Sequence, residues 1–387
     1  MRDQSLLRSS LAAAAILSLT LAACGGDNSN ASTGTSSTTT GTGGSGGSGD
    51  GGLPCPAGSH AGTSGACEAD LTGWTSGPKL KHARDHHVTF AADTAAGSYL
   101  YVVAGMGSLA PPLQIERAAI AADGTLGPFE DLATKLTTGL IGPGMAQIGQ
   151  LFVLGGGLTS DSNSTASTYI GKVTDDGEIV LGEGPDMNSS RYHVSLAYAK
   201  GHVFALGGLY QQVTGSNVTQ DVLDVVERAS FDGTTLSPWE TIAPLPVKLT
   251  HHATVVYNDA IYVIGGGSGQ AASADIYRAT VSDQGDLGAW ELVGQLSEGR
   301  ASPAATVFLD KLYVVSGMTS LTGGEVATVL AGSFDASGKL GAFTELSPLP
   351  KARAHSHQAP FYNGYLYSAG GSINHAPQSD VFLGKLQ

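Results

Sequence analysis

The sequence predicts an all-β fold in which six four-stranded units close into a propeller. An apolar strand that ends in small residues occurs six times in 387 residues, and its last residues lie 51, 52, 58, 51 and 54 positions apart. A period of about 50 residues is typical of propeller blades. The 55 glycines and the charged fraction of 13% favour a turn-rich β protein over a helical one. The six strands are LYVVAG (100–105), LFVLGG (151–156), VFALGG (203–208), IYVIGG (261–266), LYVVSG (312–317) and LYSAGG (366–371).

Each unit continues with the same four-strand pattern. An apolar first strand precedes the repeated strand, as in HHATVVY (251–257) and SHQAPFY (356–362). A third strand follows, for example Ile276-Tyr277-Arg278, and a glycine-bearing turn leads to a fourth strand with an aromatic residue. The turns predicted between first and second strands include Lys200-Gly201, Asn258-Asp259 and Asn363-Gly364. The aromatic segments are DGTLGPFE (123–130), DGTTLSPWE (232–240), QGDLGAWE (284–291) and SGKLGAFTE (337–345), and the second unit has the degenerate DDGEIVLGEG (175–184).

The two ends of the repeat region predict how the ring closes. Gly73-Trp74-Thr75 has the character of a fourth strand without a preceding unit, and the last unit stops after its third strand, Val381 to Leu386. We expect the N-terminal strand to complete the last blade, because this arrangement removes the exposed edges of an open array.

The N-terminus predicts export and lipidation. Arg2 and Arg8 precede an apolar run from Leu11 to Leu21, which is too short to span a bilayer as a stable helix. The segment that follows, ending in Cys24, resembles the bacterial lipobox. The resemblance implies removal of residues 1–23 and lipidation of Cys24; the alternative is an ordinary cleavage site with a chance cysteine. Gly25 stands where an inner-membrane retention signal has Asp, which favours the outer membrane of the cell envelope.

Residues 24–53 are predicted to be a flexible linker, because they are rich in Gly, Ser and Thr with almost nothing apolar. In an exported chain, the remaining cysteines, Cys55 and Cys67, are expected to form a disulfide. They delimit a small segment, residues 54–70, which we expect to cap the propeller from beneath. Metal binding by this pair is the weaker alternative.

Residues 71–387 resemble the kelch-repeat, galactose-oxidase-like propeller superfamily. The resemblance rests on the diglycines, on residues of the Tyr277 type, and on Trp239, Trp290 and their Phe counterparts. One departure is that twelve residues separate Tyr277 from Trp290, where the usual kelch repeat has about six. The lengthened hairpin leaves the fold prediction intact, but it does not allow a eukaryotic kelch role to be transferred.

Histidines and arginines concentrate where the chain enters the first strands, and we expect them around one mouth of the central channel. Two positions emerge when the units are aligned back from the small-residue pairs. The first is shared by His86, His193 and His251. The next is shared by His87, His252 and His357, and His355 lies just before His357. The other two units have Ile141-Gly142 and Ser302-Pro303 there. The predicted ligand face consists of Arg84, His86, His87, Arg191, His193, His251, His252, Arg300, Arg353, His355 and His357.

Two interpretations of this face stay open. The first is a metal ion or an anionic ligand held at the mouth, since several neutral imidazoles suit zinc, copper or nickel. The alternative is structural, with the side chains bonded to carbonyls of neighbouring blades, and no metal or other cofactor is assigned. The long polar loops 157–168 and 209–222 could likewise bind a protein or glycan or be solvated insertions.

Enzymatic functions find little support in the sequence. No cysteine lies inside the propeller, so the cross-linked copper site of galactose oxidase is excluded. VSDQGDLGAW (281–290) is similar to a sialidase Asp-box, but the spacing from Gly285 to Trp290 is too long. Periplasmic sialate mutarotases also use a kelch-like propeller, but no catalytic signature links this chain to them, and no nucleophile elbow, P-loop or HExxH motif is present.

These observations predict a monomeric, membrane-anchored binding propeller that recognises an unknown protein or glycan through one loop face. No catalytic residue is assigned, and contact with the membrane is expected through the lipid alone. The net charge of −14 and the absence of a Lys/Arg-rich run argue against nucleic acid as a partner. The alternatives are a sugar-active enzyme, such as a mutarotase, epimerase or lyase, and a purely structural envelope component.

Overall fold

The computed structural model describes residues 54–62 and 66–387. The predicted signal peptide, Cys24 and the linker up to residue 53 lie outside the described residues. Within the described part, six four-stranded antiparallel sheets follow one another along the chain, which confirms the predicted all-β, six-bladed propeller. In these same residues no helix is long and apolar enough to cross a membrane.

The four strands of each blade run from the channel outwards. In blades 1 to 6, the first strands are Val88–Thr94, Gly144–Ile148, Ser195–Ala199, Thr250–Tyr257, Ala304–Phe308 and Phe361–Tyr362. The second strands are Gly97–Val103, Leu151–Gly155, His202–Leu206, Ala260–Gly267, Lys311–Val315 and Tyr365–Ala369. The third strands are Gln114–Ile120, Thr168–Val173, Val226–Ser230, Asp275–Thr280, Val329–Ser333 and Val381–Leu386. The fourth strands are Glu130–Lys135, Ile179–Glu183, Glu240–Ile242, Glu291–Gln295, Thr344–Leu346 and, from the N-terminus, Leu71–Ser76.

Shorter strand pairs accompany the blades. Three hairpins lie between second and third strands, and two further pairs lie outside the blades. The hairpins are Leu209–Thr214 with Asn217–Val222, Met318–Ser320 with Gly323–Glu325, and Ser372–Ile373 with Ala376–Pro377. The other pairs are Arg84–Asp85 with Met106–Gly107, and His60–Ala61 with Cys67–Glu68.

The ring closes as predicted. Leu71–Ser76 pairs antiparallel with Val381–Leu386, with Trp74 opposite Gly384. The indole nitrogen of Trp74 also donates a hydrogen bond to the carbonyl of Ser347, at 2.9 Å, and so ties the last blade to blade 5. The first and last segments of the propeller therefore form one sheet.

The predicted tight turns are confirmed by their backbone angles. Both residues of Asn258-Asp259 have positive φ, 46° and 57°. Lys200-Gly201 and Asn363-Gly364 have the same signs. Two consecutive positive φ angles match the twist of two-residue hairpins, which explains why Asn, Asp and Gly occupy them.

The small-residue pairs join each blade to the next. In every pair both residues have positive φ, and the second residue donates its amide to a carbonyl of the following blade. The six bonds are Gly105 to Leu140 (2.8 Å), Gly157 to Arg191 (3.0 Å), Gly208 to Leu249 (2.9 Å), Gly266 to Arg300 (2.7 Å), Gly317 to Arg353 (3.0 Å) and Gly371 to Arg84 (2.9 Å). These bonds close a complete circle through the described residues.

Details of the predicted pattern differ in blades 2 and 6. In blade 2 the pair with positive φ is Gly156 and Gly157, one residue later than predicted, because three glycines occur in succession. In blade 6 the predicted first strand, SHQAPFY, is a strand only at Phe361–Tyr362. His357 has φ 52°, and Pro360 has no N–H to donate to a ladder, so the residues before the strand leave the sheet.

The aromatic residues predicted within the fourth strands lie directly before them instead. Fourth strands begin at Glu130, Glu240 and Glu291, immediately after Phe129, Trp239 and Trp290, and Thr344 follows Phe343 in the same way. Phe129 and Trp239 are 6% exposed, so the aromatic rings close the outer part of the core between blades.

The hydrophobic core lies between neighbouring sheets. Phe90 and Tyr101 of blade 1 pack against Phe152 of blade 2, and the Phe90 and Phe152 ring centroids are 5.0 Å apart. Buried tyrosine hydroxyls add further ties: Tyr101 donates to the carbonyl of Gly177, and Tyr367 of blade 6 donates to that of Gly124 in blade 1.

The propeller has two different faces. The loop face contains the segments through which the chain enters the first strands and the connections between second and third strands. The turn face contains the tight turns between first and second strands. The structure joins Cys55 and Cys67 in the predicted disulfide. Their segment lies at the turn face, where a Cβ atom on Gly58 would be 2.6 Å from the Cα atom of Gly364.

Candidate functional site

The four predicted arginines are internal braces. The guanidinium of Arg84 donates to the carbonyls of Ala104 and Gln114, both at 3.0 Å, which fixes the connection between the second and third strands of its own blade. Arg191 and Arg353 make the same pair of bonds, to Gly207 and Val225 and to Gly370 and Asp380 respectively. The structural alternative expected bonds to carbonyls of the neighbouring blade, whereas these three arginines bond carbonyls of their own blade.

Two buried glutamates complete this brace, and neither was predicted from the sequence. A carboxylate oxygen of Glu116 lies 2.6 Å from the guanidinium of Arg84, and the carboxylate also accepts the amides of Lys81 and His82. Glu227 repeats this arrangement with Arg191, at 2.6 Å, and with the amides of Asn188 and Ser189. The sequence feature that could have indicated these glutamates is the tripeptide Glu-Arg-Ala, which occurs in the third strands of blades 1 and 3, at 116–118 and 227–229.

Among the described residues, the other two arginines have no buried carboxylate partner. Arg300 bonds Thr328 and pairs with Glu298, whose side chain is 58% exposed. Arg353 lies over the ring of Phe382, with 4.4 Å from its guanidinium carbon to the ring centroid. Burial lowers the pKa of Arg353 to about 10, and the carbonyl bonds keep this cation in place.

His87 and His252 pack against the preceding blade. The Nε2 atom of His87 lies 3.1 Å from the carbonyl oxygen of Ala369 in blade 6. A Cβ atom on Gly370 would be 2.7 Å from the His87 ring, and one on Gly207 would be 3.0 Å from the His252 ring. Burial lowers the pKa of His87 to about 3 and that of His252 to about 4, so both imidazoles are neutral.

Four of the predicted histidines form a closed circle of rings at the loop-face end of the channel. The centroid distances are 5.1 Å from His86 to His193, 5.6 Å from His193 to His251, 6.0 Å from His251 to His355, and 4.0 Å from His355 to His86. All four have φ between 55° and 63°. Gly142 and Ser302, in the other two blades, also have positive φ. These six residues are the equivalent positions of the six blades.

This equivalence corrects the predicted alignment of blades 2 and 6. Gly142, not Ile141, shares the position of His86, and His355 takes that position in blade 6. Arg353 then precedes it by two residues, in register with the other arginines. His357 is an additional residue of blade 6, and its ring lies 5.8 Å from that of His86.

The predicted face is mostly inaccessible. Ten of its eleven residues are at most 3% exposed, and only the side chain of His86, at 18%, is partly open. His86 contacts the Asp85 carboxylate at 2.6 Å. Burial and the neighbouring imidazoles hold the pKa of His193, His251, His355 and His357 well below the usual histidine range. Contact of these residues with a ligand stays a prediction.

The metal hypothesis gains no support from the arrangement of donor atoms. In the part of the chain that the structure describes, no group of three or more His, Cys, Asp or Glu side chains is placed to hold a metal ion. The histidine rings contact each other mainly through their faces and edges, as in the stacked pair of His86 and His355.

The two long polar loops form one braced unit at the loop face. Gln211, in the hairpin of blade 3, donates its side-chain amide to the carbonyl of Ser162 at 2.7 Å, and its carbonyl accepts the amide of Ser164. The amide of Val213 donates to the side-chain oxygen of Asn163 at 2.7 Å. We call residues 157–167 and 209–222 together the double-loop surface.

This chain is similar to kelch-repeat proteins and has homologues among them. It is 29% identical over 140 residues to Kelch-like protein 23 of Homo sapiens, which covers 36% of the chain and 23% of that protein. It is 28% identical over 145 residues to Beta-scruin of Limulus polyphemus, covering 36% of the chain and 14% of that protein.

A third similar protein is the Kelch repeat and BTB domain-containing protein 1 of Horsepox virus, with 25% identity over 176 residues. The match covers 46% of the chain and 28% of the viral protein, so the chain spans less than a third of the length of each of these relatives. No protein-family model matches the chain.

Proposed function

We propose that the propeller binds a protein partner through the double-loop surface. The observation that carries this proposal is the bracing of the two loops by Gln211, which fixes both loops before any partner arrives. A surface that is ordered in advance loses less conformational entropy on binding, so more of the contact energy appears as affinity.

The exposed chemistry of the double-loop surface fits a protein interface. Gln212, Asn217 and Thr219 are exposed, and the hydroxyl of Tyr210 donates to Gln212 at 2.8 Å. Beside the hairpin, Lys248 pairs with Asp221, and the adjacent Val247 is 41% exposed. An aromatic and an apolar side chain within a polar rim is a common composition of protein interfaces.

The relatives support the same class of function, because kelch-repeat propellers are generally protein-interaction domains. The arginines are unsuited to direct recognition, since their guanidinium groups are already bonded inside the blades. Recognition therefore falls to the exposed loops, and the Arg/His positions hold these loops in place.

The anchoring part of the proposal rests on Cys24 and the lipobox-like segment. The first described residues lie at the turn face, beside Gly364. A tether that reaches the propeller there would turn the loop face away from the membrane, toward a partner. This orientation favours a lipid anchor and a loop-face interaction acting together.

Site-specific photo-crosslinking in the native cells tests the binding proposal. A photoreactive residue replaces Tyr210 or Thr219 on the double-loop surface, and as a matched control it replaces Leu292, which is 54% exposed on the fourth strand of blade 4. We expect a discrete protease-sensitive adduct from the two loop positions and none from Leu292. Equal adducts from all three positions, or none from the loops, would contradict the proposal; an adduct that only glycosidases remove would assign the surface to a glycan.

A further inference from the structure

A cavity of about 670 Å³ opens at the turn face, at the opposite end of the channel from the histidines. Its walls come from the ends of first strands and the tight turns of blades 1, 2, 4, 5 and 6, and Pro56 of the disulfide-linked segment stands at its edge. The volume lies within the range of about 300–1,000 Å³ that is usual for small-molecule sites. The interaction proposed for the loop face makes no use of this cavity.

Two tyrosine–aspartate pairs occupy the walls of this turn-face cavity. The hydroxyl of Tyr257, in blade 4, donates to a carboxylate oxygen of Asp310 in blade 5 at 2.6 Å. Tyr362 of blade 6 makes the same bond to Asp93 of blade 1. Burial and Asp310 raise the pKa of Tyr257 to about 12, so this hydroxyl stays protonated and keeps its carboxylate fixed. In each carboxylate the other oxygen accepts no hydrogen bond from the described residues, which leaves it free for a ligand.

The amide side chains in the wall also present acceptors. Gln147 donates its side-chain NH₂ to the carbonyls of Ala91 and Gly149, and Gln150 donates to the carbonyl of Asp93. Both N–H groups of Gln147 are engaged and one N–H of Gln150 is unused, and the amide oxygens of both side chains are left to accept. The cavity therefore presents mainly hydrogen-bond acceptors held in fixed positions, which suits a ligand that carries several hydroxyl donors.

The charges around the cavity exclude anionic ligands. Asp93 and Asp310 are its charged lining residues, and no Lys, Arg or His is among the residues that line it. Lys311, next to Asp310, donates instead to the carbonyl of Ala69 at 3.2 Å. A phosphate or carboxylate group placed here would meet two negative charges without a cation to compensate them.

An aromatic surface completes the site. Phe308 and Phe361 are stacked with their ring centroids 3.8 Å apart, and both line the cavity. Because the two rings cover each other's faces, they do not form the cage of several open faces that an organic cation prefers. A single apolar wall beside fixed acceptors fits a flat ring that has C–H groups on one face and hydroxyls at its edge.

We propose that the turn-face cavity binds a neutral saccharide, with Asp93 and Asp310 accepting its hydroxyls and the Phe308/Phe361 stack contacting its apolar face. This site is independent of the protein interaction proposed for the double-loop surface. Its residues come from five blades, so the closed ring is needed to assemble it.

Saturation-transfer NMR and calorimetry on the full chain test this inference. The probes are glucose, galactose, N-acetylglucosamine, lactose, maltose and chitobiose, with N-acetylneuraminic acid as the anionic probe and choline as the cationic one. We expect at least one neutral sugar to bind. Asp310→Asn, which can still accept the Tyr257 hydroxyl, and Phe308→Ala should each weaken that binding at least tenfold.

The matched control is Asp283→Asn, which removes the same charge from an exposed position outside the cavity lining, next to Lys200. It should leave sugar affinity unchanged, and thermal melting of each variant should confirm that the propeller is folded. Binding of no neutral sugar, equal binding by Asp310→Asn and wild type, or binding of choline or N-acetylneuraminic acid alone would overturn the inference. Photo-crosslinking from Tyr210 should be the same in Asp310→Asn, so failure of one proposal is distinguishable from failure of the other.

Discussion

The guanidinium of Arg191 lies 2.6 Å from a carboxylate oxygen of Glu227, and both side chains are fully buried. The same carboxylate accepts the amides of Asn188 and Ser189 from the preceding inter-blade connection. This one ion pair therefore holds together a third strand, the end of a second strand and the chain entering the blade. Arg84 and Glu116 repeat it in blade 1.

We expect Glu227→Gln to destabilise the propeller by about 3–5 kcal/mol, because it leaves the Arg191 charge buried without its partner. The matched control is Glu240→Gln. It breaks the ion pair between Arg228 and Glu240, in which the Glu240 side chain is 64% exposed. Exposed pairs contribute about 0–1 kcal/mol. Chemical denaturation of both variants is the measurement, and equal shifts of the two midpoints would contradict the bracing role of Glu227.

Gly370→Ala should disrupt the contact between blades 6 and 1. Gly370 has φ 57°, and an added Cβ atom would lie 2.6 Å from the Arg84 carbonyl oxygen and 2.7 Å from the His87 ring. Gly215→Ala is the control, since Gly215 has a similar φ of 64° but nothing within 4 Å of the new atom. Both variants incur the left-handed backbone cost of about 1–2 kcal/mol.

The difference in stability loss between these two glycine variants therefore measures the effect of the inter-blade contact alone. We expect thermal melting to show a clearly larger loss for Gly370→Ala than for Gly215→Ala. If the two melting temperatures fall by the same amount, close packing at the small-residue pairs does not hold the ring together.

Acidification should weaken the fold through the buried histidines. Burial and nearby Arg191 lower the pKa of His252 to about 4, whereas an unfolded histidine titrates near 6.5. The unfolded chain therefore binds the proton first, and stability is lost as the pH falls from 6.5 toward 4. His252 alone should contribute a loss of about 2 kcal/mol between pH 7 and pH 5.

The measurement is chemical denaturation at pH 7, 6 and 5 for wild type and for His252→Gln. The substitution removes one titrating group, so the stability of the variant should fall less steeply with acid, whatever its stability at pH 7. Parallel pH profiles would show that His252 takes no part in the acid response.

Cys24→Ala should release a folded propeller from the membrane fraction, because the acyl chains expected on Cys24 provide the membrane affinity. Fractionation and immunoblotting are the measurement, and Cys55→Ser, which affects the disulfide and leaves Cys24 intact, is the control that should stay with the membrane. A Cys24→Ala protein that remained membrane-bound would contradict the lipid anchor.

Features that depend on neighbouring residues could be predicted from the sequence. The turn at Asn258-Asp259 follows from residue types that tolerate positive φ, and the closing strand around Trp74 follows from an incomplete last unit. The alignment of the repeats was wrong where the spacing was ambiguous. In blade 2, three successive glycines made the pair with positive φ, Gly156-Gly157, impossible to identify by position. In blade 6, the additional residue His357 displaced the alignment by one residue. Only the sign of φ resolves such cases.

Burial of the Arg/His positions could not be predicted from the sequence. Glu227, 36 residues further along the chain, compensates the charge of the buried Arg191, and the Glu-Arg-Ala repeat that contains Glu227 does not by itself indicate this pairing. A stretch rich in Arg and His is typical of an exposed surface when such distant partners are not known.

The sequence by itself determined the repeat, the number of blades, the turns and the closing strand, since each is a periodic or local signal. Only the tertiary structure decided which positions are accessible. It placed ten of the eleven predicted face residues inside the ring, and it assembled the turn-face cavity from five blades. The physical reason is that exposure and cavity shape depend on distant segments that meet only when the ring is closed.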